Sequence, residues 1–172
     1  MAGEQMFGMD VEGGKELAEA FKKYGSKILS SQEMQDGVVI SGIEIGNEAK
    51  KYLNTKIYNS KSKISWRRTG LLKARTKGDE KARIEHGMIV TSTRSRTKYA
   101  KYIEFGTGIF AKGGKGRKTP WVYKTNTGKF LTTSGAKARP FLAVAMRIKR
   151  KATISNINKG LFKFLENNAS KV

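Results

Sequence analysis

All but five of the fourteen acidic residues of this chain lie in its first sixty positions, while twenty-eight of its thirty-five bases lie beyond them. Residues 1–60 therefore carry a net charge of −2 and residues 61–172 a net charge of +23, for a total of +21. No acidic residue occurs between Glu104 and Glu166. Self-repulsion on that scale opposes compaction unless polyanions or acidic neighbours screen it. The pattern predicts contact with a polyanion or an acidic protein rather than a merely solvated surface.

The apolar content is just sufficient for a fold. Val, Ile, Leu and Phe supply 37 of 172 residues, a little above the level of roughly 20% below which a highly charged chain stays disordered. The length fits one domain, residues 1–172, with a thin core that leaves part of its burial to partners. No apolar run approaches the roughly 18–20 residues of a membrane span, and the first residues lack the basic start and apolar stretch of a secretory signal. With no cysteine and one histidine, His86, disulfides, thiol chemistry and a multi-histidine metal centre are excluded within one chain.

Residues 6–12 read as a lead-in with strand character. Leu17, Phe21, Tyr24 and Ile28 then mark one stripe of an amphipathic helix, and Asp36-Gly37 reads as a break. Val38–Ile57 suits a second helix through Glu48-Ala49-Lys50-Lys51, with Val39, Ile43, Leu53 and Ile57 on one face, although Gly42 and Gly46 each weaken it by about 1 kcal/mol. Residues 58–70 read as a connection. Ile84, Met88 and Val90 predict one half-buried strand over 83–93. Tyr99–Phe105 predicts a short helix closed by Gly106. Residues 108–120, with their glycines and bases, read as a flexible loop. Residues 121–133 read as a β-hairpin around Asn126-Thr127-Gly128, whose Trp121, Tyr123 and Phe130 are expected to pack on the core. Pro140 is expected at the first position of a C-terminal helix. Arg139 would then be a poor N-cap, so another group must satisfy the first amides. Phe141, Ala145, Ile148 and Ala152 start an apolar stripe, resumed after a phase shift by Ile157, Leu161 and Phe164, with Arg147, Arg150 and Lys151 on the other face.

Catalysis is hard to assemble from these residues. Asp79, Glu80, Glu85 and Glu104 show no metal-ligand spacing, and Glu85 and His86, as strand neighbours, point to opposite faces. Lys118-Thr119 lacks the ending of a phosphate-binding loop, and Pro120 breaks the helix that should follow. The expectation is no enzyme activity, no catalytic residue, no metal and no cofactor. Sequence-independent nucleic-acid binding is better supplied: Lys112, Lys115, Arg117 and Lys118 precede Trp121 and Tyr123, combining phosphate neutralisation with stacking.

Tyr99-Ala-Lys-Tyr-Ile-Glu-Phe-Gly-Thr-Gly, followed by Ala138-Arg-Pro-Phe-Leu-Ala-Val-Ala and preceded by Thr69-Gly-Leu-Leu-Lys, resembles the tail-completion, or head–tail joining, minor tail proteins of long-tailed bacteriophages. Lys73 stands where that family has Arg, and Val144 where it has a second proline. The resemblance spans about residues 10–165 and is carried by Gly70, Tyr99, Glu104, Gly106 and Pro140. It implies an α+β subunit with N-terminal helices, a small antiparallel or mixed sheet and a long C-terminal helix. It also implies a homo-oligomeric ring, expected as a hexamer, in the neck of the virion, assembled in the host cytoplasm beside connector, tail-terminator or tail-tube proteins. Lys112, Lys115, Arg117, Lys118, Arg147, Arg150 and Lys151 are the expected contacts to those partners or to viral DNA. As the sole acid in basic surroundings, Glu104 is expected to bond an Arg or a backbone amide.

Overall fold

The computed structural model describes residues 14–58, 70–125 and 127–169. Two helices, α1 (Gly14–Ser30) and α2 (Gln32–Tyr52), lead into a π-helical turn, Leu53–Tyr58. Then follow α3 (Leu71–Ala74) and four three-residue strands: β1 (Thr76–Gly78), β2 (Arg83–Glu85), β3 (Met88–Val90) and β4 (Thr93–Ser95). Helix α4 (Ala100–Phe105) precedes 3₁₀ turns at Gly108–Phe110 and Lys112–Gly114. Strands β5 (Trp121–Lys124) and β6 (Phe130–Thr133) and the long helix α5 (Phe141–Ala169) complete an α+β fold. The strands form three separate antiparallel pairs, β1–β4, β2–β3 and β5–β6. The lead-in at 6–12 and most of the 58–70 connection lie outside the described residues, as do the side chains of Leu17 and Phe21.

The break between α1 and α2 falls at Ser31 rather than at Asp36-Gly37. Ser31 has an extended backbone, and its Oγ accepts from the Met34 N–H at 3.4 Å, the N-cap chemistry that starts a helix. Gly37 lies inside α2 because the helix there meets α5: a Cβ at Gly37 would come within 2.7 Å of the Asn156 carbonyl oxygen. Gly160 of α5 stands in the same relation to the Glu33 carbonyl, at 2.6 Å. The helices run antiparallel, tied by Asn167 Nδ2 donating to Glu33 Oε1 at 2.7 Å and by Lys149–Glu44 at 3.7 Å. Gly42 and Gly46 do the same work on the neighbouring flank. A Cβ at Gly46 would stand 2.8 Å from the Gly78 amide nitrogen, and Gly42 packs on Thr91 and Gly78. The helix propensity lost at these glycines is exchanged for backbone-to-backbone packing.

The core gathers where α2 ends: Ala49, Leu53 and Ile57 meet Leu72, Ala100, Phe141 and Ala145. Val39 is half-buried and Ile43 exposed, so only the C-terminal part of the expected α2 face reaches this core. The α5 stripe also differs from expectation. Ile148 is exposed, and the buried line continues without a phase shift through Phe141, Ala145, Lys149, Ala152, Asn156, Gly160 and Phe164. These positions advance by three or four residues, as one helix face requires. Polar Lys149 and Asn156 and the bare Gly160 hide that line from a hydrophobicity reading.

The single strand expected over 83–93 is a hairpin. His86 and Gly87 have φ of 52° and 73° and join β2 to β3 in the register Glu85↔Met88. Positive φ at both turn positions matches the right-handed twist of a two-residue hairpin. Glu85 and His86 are therefore a strand end and a turn, not two faces of one strand.

Candidate functional site

The segments around Tyr99–Gly108 and Ala138–Ala145 form one docked junction. Helix α4 ends at Gly106, whose φ of 76° suits glycine. A Cβ on Gly106 would meet the Phe110 and Ala136 carbonyl oxygens and the Ala138 amide within 3 Å. The Ile103 carbonyl accepts from the Arg139 N–H at 2.7 Å, and the Ala136 carbonyl accepts from the Thr107 N–H at 2.9 Å. Thr107 Oγ1 accepts from the Ala136 N–H at 2.9 Å, and the Ser134 carbonyl accepts from the Ile109 N–H at 3.0 Å.

Glu104 supplies the missing cap of α5. Its two carboxylate oxygens accept from the Leu142 N–H at 2.9 Å and the Ala143 N–H at 3.0 Å, and the residue is only 6% exposed. A carboxylate at a helix N-terminus is stabilised both by these charge-assisted bonds and by the helix dipole. The expected bond to a backbone amide is thus present. Pro140 sits one position earlier than expected: its carbonyl accepts from the Val144 N–H at 3.2 Å and the helix begins at Phe141. Because proline has no N–H to satisfy and its φ is fixed, the substitution of position changes little.

Gly70 enters α3 with φ 71°, its carbonyl accepting from the Ala74 N–H at 2.9 Å. Tyr99 precedes α4, and its carbonyl accepts from the Tyr102 and Ile103 amides. The three sequence elements that contain Gly70, Tyr99 and Pro140 deliver Leu72, Ala100 and Phe141 to the same core. Their separation along the chain is closed in space.

From this junction the chain leaves at Ile109 and returns at Ser134, and the excursion between is basic. Lys112, Lys115, Arg117 and Lys118 are exposed, as are Lys124 and Lys129. Among the described residues none of these six is within ion-pair distance of a carboxylate. The stretch expected to be a flexible loop holds the two 3₁₀ turns, closed by the Ala111 N–H on the Gly108 carbonyl and the Gly114 N–H on the Ala111 carbonyl. β5 and β6 pair as expected, in the register Trp121↔Thr133 to Lys124↔Phe130.

The hairpin does not pack its aromatics on the core. Phe130 is 69% exposed and Val122 61%, while Trp121 and Tyr123 are half-buried. Cations cover the rings instead: Arg117 lies 5.8 Å from the Trp121 centroid and Lys124 5.9 Å from that of Phe130, within cation–π range. The outer side of the junction adds exposed Tyr102, Phe105, Ile109 and Phe110. That apolar surface went unrecognised because Tyr102 and Phe105 fall on a helical stripe, which ordinarily signals burial.

Arg147, Arg150 and Lys151 lie exposed on the outward face of α5, unpaired with any carboxylate among the described residues. The acids of the basic half are otherwise engaged. Arg94 Nη2 donates to both oxygens of Asp79 at 2.9 and 3.0 Å, and Arg83 Nε donates to Glu85 at 2.9 Å. Among the described residues no group of three His, Asp or Glu side chains is placed to hold a metal ion, and no helix is long and apolar enough to cross a membrane. Comparison with known proteins finds no matching family model, curated protein or solved structure.

Proposed function

We propose that this chain is a structural virion subunit of a tailed bacteriophage, one that closes a homo-oligomeric ring at the head–tail neck and joins the tail to the capsid connector without catalysis. The observation that carries this reading is the arm at 109–134. It is anchored at a junction held by Glu104 and by glycines, yet it exposes apolar side chains and six bases that the subunit itself neither buries nor neutralises. Burying a side chain such as Phe130 or Leu131 contributes about 1.5–3 kcal/mol, so a neighbour that covers the arm offsets the thin core. An acidic neighbour also relieves the self-repulsion of the basic half. Arg147, Arg150 and Lys151 offer a second cationic face, toward an adjacent ring or toward passing DNA. A phage with an early stop in this reading frame is expected to accumulate unjoined heads and tails. Mature infectious particles from such a phage would overturn the proposal.

Sequence-independent nucleic-acid binding is the second reading, and the exposure of the hairpin favours it. An aromatic pair outside the core, beside Arg117 and four lysines, has the ingredients of a stacking platform. It requires micromolar duplex affinity with a steep salt dependence; undetectable binding at low salt would remove it.

A further inference from the structure

The β5–β6 hairpin has an unused edge. β5 pairs with β6 and with no other strand, and among the described residues 121–124 make no further backbone hydrogen bond. An open edge is a template for strand addition. The register fixes what an incoming strand would meet. Alternation puts Val122, Lys124, Phe130 and Thr132 on one face and Trp121, Tyr123, Leu131 and Thr133 on the other. The first face is open and apolar; the second carries Arg117 over Trp121. A complementary strand therefore alternates apolar residues toward Val122 and Phe130 with acids toward Arg117.

Phe7-Gly8-Met9-Asp10-Val11-Glu12 has that alternation. Phe7, Met9 and Val11 share one parity, Asp10 and Glu12 the other, and no base occurs before Lys15. We propose that residues 6–12 of a neighbouring copy add as a third strand to the outer edge of β5. This rests on the ring reading and names the contact that links adjacent subunits. The hairpin rises from the junction at the C-terminal end of α2, whereas the N-terminal segment joins the body through α1 at the other end of α2. For a 21-residue helix those ends are about 30 Å apart. One strand given and one edge accepted per subunit is a heterologous contact, the type that repeats around a ring.

The chain has no cysteine, so introduced thiols report contacts without background. Met9 and Val122, set opposite each other, bring their Cβ atoms within the range a disulfide bridges. The full-length Met9→Cys/Val122→Cys variant, oxidised under native conditions, is expected to give a ladder of covalent oligomers. Equal mixtures of the two single variants should give the heterodimer in large excess over either homodimer. Phe7→Cys and Val11→Cys, each combined with Val122→Cys, detect a pairing displaced by one repeat and count as support if they give the ladder. A bridged monomer alone, or no bridge in any of the three, overturns the proposal. The native mass of the unmodified protein separates the two failures: a discrete oligomer without bridges leaves the ring intact and removes the strand, and a monomer removes both.

Discussion

Replacing Glu104 with alanine removes the only side chain that caps the first amides of α5. The Leu142 and Ala143 N–H groups, bonded at 2.9 and 3.0 Å to its two oxygens, would lose their partner where water has little access. A buried donor left unsatisfied costs about 1–3 kcal/mol, and losing a cap costs about 0.5–2 kcal/mol. With two amides and one cap counted together, since they are the same bonds, Glu104→Ala is expected to destabilise the fold by about 3 kcal/mol. For a domain of this size that lowers the melting temperature by about 6–12 °C. Glu104→Gln keeps one acceptor oxygen and turns an NH2 toward the other amide, so it should lose at least half as much. Calorimetry at one fixed protein concentration reads both variants without mixing in assembly effects. A Glu104→Ala protein that melts with the parent would refute the capping role, and with it the account of how the two sequence elements lock together.

The glycines make an opposed pair of tests. Gly25→Ala, in α1 with nothing within 4 Å of the new methyl, should stabilise by up to about 1 kcal/mol. Gly37→Ala and Gly46→Ala, facing backbone atoms at 2.7 and 2.8 Å, should destabilise by about 1–3 kcal/mol, read as urea midpoints; equal signs at all three sites would contradict the close-packing account. On the nucleic-acid reading, alanine at Lys112, Lys115, Arg117 and Lys118 together should reduce the log–log salt slope of duplex binding by about 3–4, measured by fluorescence anisotropy. An unchanged slope would place the contacts elsewhere. His86→Asn, at a position with φ 52°, should stabilise the β2–β3 turn by a few tenths of a kcal/mol, because asparagine tolerates that backbone better; a loss of stability would show that the imidazole is used.

Much of the architecture was legible because it is written in local chemistry. Gly106 after Tyr99–Phe105, the turn residues between Trp121 and Phe130, and the need for a substitute cap above Phe141 all act within a few residues of where they are read. Glu104 was identified as bonded because an isolated acid in a basic region has few other fates. Long-range contacts were not legible. Gly37, Gly42, Gly46 and Gly160 look like helix weaknesses until a second backbone is placed against them, and Lys149 interrupts a buried line because its partner, Glu44, is more than a hundred residues away. The hairpin misled in the opposite direction: aromatic content predicts burial only when there is a surface to bury against, and this subunit supplies none for Phe130.

The central claim is that this chain completes itself by closing with copies of its own kind. Native mass measurement of the full-length protein over a range of concentrations, alone and with the capsid connector or tail protein of the same virus, tests it most directly. A single discrete oligomer of closed size, abolished when residues 110–133 are replaced by a short glycine linker, is the predicted result. A monomer under every condition would contradict it.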